Sequence, residues 1–566
     1  MPATGPTTAP APASAPPAPG AMAARGVCPS VRRPMTAGDG LLARVRLAGG
    51  SLTPDQARAL AATAARHGNG VVELTSRANV QVRGVRPEAL DALVADLTDA
   101  GLLSAVPEGE ASADVVVPPA SGADPTERLD VRPLADALRA RLRAGATGPL
   151  HPKAGVVLDG GGTLSVRGLA ADVSLGATVD TVTGEVVLEV VLGHPLAHAQ
   201  ESATALVVTP EAAPDLVTRL LTLAARGTAA VLGPTRVRDL VATHGRDETL
   251  HLAGFAVTPT TPVHDTHPVP ARTVEDRPPG SGPPPTTAPG AGTPAPGLDD
   301  DERAVSVRTV GRRWLWPEPG PSGIGDAEAP TGGLADDRRV MSVQIVERLR
   351  LRAAGATAAD GDHRTLLGVR ATRRGRAMVG ALPALGRLDA GALRGLADAV
   401  VRHGGTELRL TPGRGVLVPD VDIDDARSLV ATLTQLGFIT AAGDPAAGVI
   451  ACAGRPGCPS AHADTQSDGL WVAANLGGAL PGAARPTVHL SGCAKRCASR
   501  GARDVTLIAE PGGAYAVLVG DDEHVAGRAH GVEDAMALAA AAAAPAATTT
   551  ITGRTAAQPT NTGAPR

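Results

Sequence analysis

The chain has 566 residues and a mass of 56.5 kDa, room for several domain cores, with a formal net charge of -4 from 53 basic and 57 acidic residues. That near balance argues against nucleic acid as a bulk electrostatic partner, and no uninterrupted apolar run reaches the roughly 20 residues of a membrane helix. The 43% hydrophobic content is that of a globular chain.

In chain order, residues 1–25 are broken throughout by proline and read as disordered, with Met22 a second candidate start. They show no basic start followed by an apolar stretch, so no secretory signal is expected and a cytoplasmic location follows. Residues 26–106 form a first half unit. Gly50-Ser51-Leu52 leads into a helix-periodic stretch, Thr53 to His67, then short strands at Val71 to Leu74 and Val80 to Val82. Residues 107–256 read as an α/β domain without cysteine, carrying Lys153 and a Gly160-Gly161-Gly162 turn. Residues 257–338 are a Pro/Gly-rich linker, and its Trp314-Leu315-Trp316 reads as local packing.

Residues 339–442 then repeat the first half unit. Gly386-Arg387-Leu388, His403-Gly404 and Leu410-Thr411 each match their counterparts at an offset of 336. The same grammar recurs: a helix from Asp389 to His403, then strands at Glu407 to Leu410 and Val416 to Val418. Such a split unit needs its partner to complete a sheet. Residues 443–545 form a second α/β domain, and residues 546–566 a disordered tail. Arg167 to Leu175 resembles Arg500 to Leu507 at an offset of 332, so the α/β domains are duplicated too. The fold class is therefore a duplicated α+β architecture.

Only two lysines occur, Lys153 and Lys495, and arginine supplies the remaining positive charge. Nucleotide bias accounts for most of this. A retained ammonium still suits chemistry that a permanently charged guanidinium cannot do. Five cysteines are too few for a disulfide framework in a chain of this size. Cys452, Cys458, Cys493 and Cys497 fall within 46 residues, while Cys28 stands alone and reads as an inert thiol or a fifth ligand. The first spacing is too wide for a zinc knuckle and suits an iron–sulfur cluster. Structural zinc and unliganded thiols are the two weaker readings. The Gly320-Pro-Ser-Gly-Ile-Gly325 stretch neither follows a strand nor opens a helix, so it fails as a dinucleotide site.

The C-x5-C and C-x3-C pairs, with Glu73-Leu-Thr-Ser-Arg-Ala-Asn-Val-Gln-Val-Arg-Gly84, resemble the nitrite and sulfite reductase superfamily. The resemblance runs from Cys28 to about Gly520. It implies two ferredoxin-like half domains pairing and two α/β domains flanking a tetrapyrrole. It also implies one 4Fe-4S cluster on Cys452, Cys458, Cys493 and Cys497, the last cysteine being the link to sirohaem iron in the reductases. The start Cys28 to Arg44, Gly380 to Arg387 and His489 to Ala498 are similar to one branch, the precorrin-3B synthases of aerobic cobalamin synthesis. That branch implies O2-dependent hydroxylation and γ-lactone formation on precorrin-3A. Its electrons would come from a ferredoxin or an NAD(P)H-linked reductase, and a mononuclear non-haem iron is a further candidate. Ala494-Lys495 replaces the Pro-Asn usual in the reductases, and Gly155 stands where they carry a second lysine. The alternatives are a sirohaem-dependent nitrite or sulfite reductase and a non-catalytic electron carrier.

Precorrins are fringed with carboxylates, which a guanidinium fork matches. Arg77, Arg83 and Arg414 lie in strand-edge loops of the two repeats and are candidate substrate-binding residues, with Asn79 and Gln81 alternating among them. Lys153 and Lys495 are the candidate catalytic residues. His151, His462 and His489 are weaker candidates for acid, base or iron ligand.

Overall fold

The computed structural model describes residues 28–104, 113–196, 204–228, 234–259, 341–347, 351–352, 363–477, 480, 486–499, 503–520 and 524–543. The terminal segments, most of the linker, Trp314-Leu315-Trp316 and the Gly320 to Gly325 stretch lie outside the described residues.

The two half domains exchange strands. One five-stranded sheet runs Met35–Ala37, Gly40–Val45, Val80–Val85, Val71–Leu74 and then Arg387–Asp389, the last strand coming from the second half. Its counterpart runs Gly368–Ala371, Ala377–Ala381, Val416–Val421, Leu408–Leu410 and then Ser51–Leu52 from the first half. The borrowed strands are the Gly-x-Leu segments of the sequence repeat. Each follows a glycine that turns the chain in the left-handed region, Gly50 and Gly386, both at φ 74°. A Cβ at Gly50 would lie 2.9 Å from that of Ala78, and one at Gly386 would lie 2.8 Å from Arg414 Cδ. Glycine is therefore required where the chain entering the crossing strand passes the loop of its own repeat.

A helix follows each borrowed strand. Pro54–His67 is capped by Thr53, whose hydroxyl accepts from Gln56 N while Gln56 reaches back to Thr53 N. Ala390–Arg402 is capped by Asp389, which accepts from Ala392 N at 2.7 Å. The apolar faces of these helices and the inner faces of both sheets share one core, in which Leu60, Val82, Leu396 and Val418 are fully buried. Neither half has a complete core alone.

The α/β domains have sheets that begin alike. The first takes Asp114–Val116, Gly155–Asp159, Val173–Asp180, Val186–Leu192 and Thr204–Val208; the second takes Val449–Ala451, Val488–Ser491, Val505–Ala509, Ala514–Val519 and His524–His530. In both, the first three strands are parallel and the rest antiparallel. A shared detail fixes the 332-residue correspondence: Asp172 accepts from Gly155 N at 2.9 Å, and Asp504 from Thr487 N at 2.7 Å. The first sheet is longer. Phe255–Pro259 and Met341–Glu347 extend its edge and Leu351–Arg352 pairs with Val173–Asp180. The segments 341–347 and 351–352, which composition groups with the second half domain, thus lie in the first α/β sheet.

Candidate functional site

The four cysteines sit on the loops that leave two adjacent parallel strands. Cys452 follows Val449–Ala451, and its N–H donates to Leu490 O at 3.1 Å, so the ladder holds it in place. Val488–Ser491 delivers Gly492 and Cys493, and Gly492 N donates to Cys452 Sγ at 3.1 Å. A Cβ at Gly492 would come within 2.7 Å of Ala461 Cβ, so only glycine lets that amide approach the sulfur. His462 N donates to Gly492 O at 2.8 Å, which ties the two loops together. Burial, then the Cys493, Cys452 and Cys458 thiols, raises the Cys497 thiol pKa, while Lys495 opposes the rise.

The other three thiols all act on Cys497 through their charge, one backbone N–H is aimed at the Cys452 sulfur, and this donor set fits an iron–sulfur cluster. Among the described residues no three His, Cys, Asp or Glu side chains converge as ligands of one metal ion must. A four-iron cluster engages each thiolate at its own iron and does not need that convergence.

Cys452, Cys458 and Cys497 open onto a cavity of about 300 Å³ that Arg44, Glu73, Gln81, Arg83, Arg387 and Arg414 also line. Both halves of the chain contribute arginines, as the sequence suggests. Their partners differ from a simple ligand clamp. Arg83, 3% exposed, pairs with Asp39 through Nε at 2.9 Å and Nη2 at 2.8 Å. It also donates to Glu73 Oε2 at 3.0 Å and to Gly457 O at 2.7 Å. Four of five guanidinium donors are thereby spent, and the residue anchors the Cys452–Cys458 loop. Arg414 keeps a left-handed backbone at φ 60° and donates to Ala451 O and Ala498 O at 3.4 and 3.3 Å. Burial depresses its pKa.

The other predicted residues separate. Gln81 lines the cavity and its amide oxygen, turned to Arg44, accepts from Nη2 at 2.7 Å and Nε at 3.2 Å. Asn79, 3% exposed, instead accepts from Leu47 N at 2.9 Å and donates to Asp114. Arg77 donates to Ala170 O, bracing its loop against the first α/β domain, and does not line the cavity. Lys495 is exposed and reaches Ser460 Oγ at 3.4 Å, on the cysteine loops. Lys153 is exposed in the first α/β domain, its backbone N–H donating to His151 Nδ1 at 3.1 Å. Burial first, then Arg236, lowers the His151 pKa. Cys28 bonds Arg44 rather than joining the quartet.

Three wall residues carry no role in the sequence reading: Arg44, Glu73 and Arg387. Glu73 lies opposite Arg387 in the exchanged strand pair and accepts from its Nε at 2.7 Å, while Arg387 Nη2 donates to Ala453 O at 3.2 Å. The 336-residue offset holds the signal for Arg387, since it places this residue on a borrowed strand beside the other repeat.

Residues 33–100 and 370–436 each match the nitrite/sulfite reductase ferredoxin-like half domain. A precorrin-3B synthase of Sinorhizobium sp is 28% identical over 499 residues, 88% of this chain and 83% of that protein. A ferredoxin–nitrite reductase of Leptolyngbya laminosa is 34% identical over 103 residues, 18% of this chain and 20% of that one. Among solved structures, the Mycobacterium tuberculosis NirA protein superposes with a TM-score of 0.54 at 17% identity, covering 87% of this chain and 78% of that one. At that identity the likeness is one of fold. Among the described residues no helix is long and apolar enough to cross a membrane.

Proposed function

We propose that this chain, built on the nitrite/sulfite reductase fold and related to a precorrin-3B synthase, converts precorrin-3A to precorrin-3B. One atom of O2 enters the macrocycle as a hydroxyl, and two electrons and two protons carry the other to water. The oxygen adds to one carbon of a macrocycle C=C bond and a peripheral acetate to the other, so that the π bond is consumed, the γ-lactone closes and the carboxyl proton ends on the new hydroxyl. The observation that carries this reading is the similarity to the Sinorhizobium precorrin-3B synthase over 88% of the chain. The cavity supports it, since a carboxylate-fringed ligand suits a wall of arginines.

Cys452, Cys458, Cys493 and Cys497 would hold a 4Fe-4S cluster, which when bound passes single electrons from an external donor. The chain's own residues do the rest. Arg83 and Arg387 fix the Cys452–Cys458 loop against the half-domain sheet. Arg44 and Arg414 present positive charge to the cavity, and Gln81 orients Arg44. Arg77 holds the half-domain loop to the first α/β domain near Lys153. Lys495 supplies an ammonium beside Cys497, and Lys153 a second one on the other α/β domain, each able to hold or pass a proton.

The nitrite reductase segment match supports a second reading, a sirohaem enzyme reducing nitrite or sulfite. Anaerobic purification separates the two. The synthase reading predicts broad iron–sulfur absorption, no sirohaem bands, and conversion of precorrin-3A when O2 and an electron source are added. Stoichiometric sirohaem with nitrite or sulfite reduction would favour the second reading.

A further inference from the structure

Two hydrogen-bond donors approach the sulfur of Cys452. One is the Gly492 N–H, delivered by the strand Val488–Ser491, within which His489 is fully buried. The other is the hydroxyl of Thr465, which is fully buried and lies 3.5 Å from Cys452 Sγ. The same hydroxyl is 3.0 Å from Cys452 O. It has one hydrogen and two acceptors in reach. The carbonyl already has a shorter donor in Gln466 Nε2, at 2.7 Å, so it stays satisfied when the hydroxyl turns to the sulfur. A thiolate bound to iron carries no hydrogen, so of this sulfur and this hydroxyl only the hydroxyl can donate.

Thr465 is held there from several sides. Asp464 caps the helix Thr465–Asn475 by accepting from Gln466 N and Ser467 N, both at 3.2 Å, which makes Thr465 the first helical residue. One turn on, Asp468 accepts from the Tyr515 hydroxyl at 2.5 Å and ties the helix start to the sheet. The cysteine loop closes on the same place, where Arg455 N donates to Ala463 O at 2.8 Å. A Cβ at Gly454, whose φ is 59°, would lie 2.5 Å from Thr465 Oγ1 and 2.6 Å from Thr465 N. Glycine at that position leaves the room in which the hydroxyl reaches Cys452.

We propose that Thr465 raises the reduction potential of the cluster by turning its hydroxyl hydrogen to the Cys452 thiolate. A donor at a ligating sulfur stabilises the more negative, reduced form. The event it biases is the arrival of one electron from the external donor; no bond breaks, no proton moves, and the thiolates stay bound. Thr465 acts through Cys452, so it is a positioning residue and not a catalytic one. This role rests on a cluster held by the four cysteines and is independent of the precorrin reaction.

The test is a dye-mediated redox titration of the anaerobically prepared full chain, read by electron paramagnetic resonance after iron and sulfide are assayed. Thr465→Val keeps the branched shape and removes the donor. At a fixed ambient potential its ratio of reduced to oxidised cluster should fall about tenfold, which is about 59 mV for one electron. Thr465→Ser keeps the hydroxyl and should hold the ratio close to that of the unmodified chain. A loaded Thr465→Val protein with an unchanged potential overturns the proposal. So does an equal fall in the Ser and Val variants, which would assign the effect to the lost methyl contact. If Thr465→Val takes up no iron, Thr465→Ala replaces it. If neither takes up iron, Thr465 serves cluster assembly and the proposal is overturned. An unmodified chain without iron and sulfide would instead remove the cluster itself, and the role of Thr465 with it.

Discussion

Arg387 donates to Glu73 at 2.7 Å across the strand pair that carries the second half of the chain into the sheet of the first. The same carboxylate receives Arg83 at 3.0 Å, and both arginines reach carbonyls of the Cys452–Cys458 loop. The duplication and the cysteine site are thus one construction. The exchanged strand brings the second guanidinium to the carboxylate, and the pair of guanidiniums holds the loop.

Replacing Arg83 by Met should therefore be costly. It leaves Asp39 and Glu73 largely buried, the former with the neutral amide of Asn69 in place of a charged partner. Breaking such a buried pair costs about 3–5 kcal/mol. Urea unfolding should show that loss, and iron content should fall with it. An unchanged midpoint would mean the brace is not structural.

Each of Cys452, Cys458, Cys493 and Cys497 changed to Ser should lower iron and acid-labile sulfide, because an alkoxide binds iron less well than a thiolate. Cys28→Ser should leave both unchanged, since that thiol bonds Arg44 instead. Stoichiometric zinc without sulfide in anaerobically prepared protein would contradict the cluster.

Glu127 gives a pH signature. Burial first, partly offset by Ser121 and the Gly122 amide, lifts its pKa to about 7. Its folded pKa exceeds its unfolded one, so the folded state binds the extra proton between about pH 4.5 and 7. Stability contributed by this group is full below that window and declines as pH rises through it. Unfolding midpoints at pH 5 and pH 8 should therefore differ more in the unmodified chain than in Glu127→Gln, on the order of 1–3 kcal/mol. Equal differences would place the titration elsewhere.

Lys153→Arg and Lys495→Arg test whether the two lysines serve chemistry. Turnover should fall more than thermal stability in each, since both ammonium groups are exposed and cost little to alter structurally. Full activity in both variants would make their retention a matter of coding bias.

That each half must complete its sheet with the other was legible because the repeated glycine turns are local. Gly50 and Gly386 must be glycine, and the Ser51-Leu52 and Arg387-Leu388 pairs follow each at the same offset. The starts of the two helices at Thr53 and Asp389 were equally local, each residue's side chain capping its helix. The individual arginine roles were not legible. Arg83 meets Gly457 across 374 residues of sequence, and nothing near Arg83 signals that carbonyl. Asn79 alternates with its arginines along the chain, yet its amide is taken by Leu47 and Asp114. The edge strand Met341–Glu347 was misgrouped because composition marks where a linker ends, not which sheet edge the next strand joins.

The most direct measurement is the origin of the oxygen in the product. Anaerobically purified chain is given precorrin-3A, an electron donor and ¹⁸O₂, and the product is weighed by mass spectrometry. The account predicts one ¹⁸O atom per product molecule, in the new hydroxyl, with none incorporated from ¹⁸O-labelled water. Label arriving from water and not from O2, or no conversion at all in protein that carries sirohaem and reduces nitrite, would contradict it.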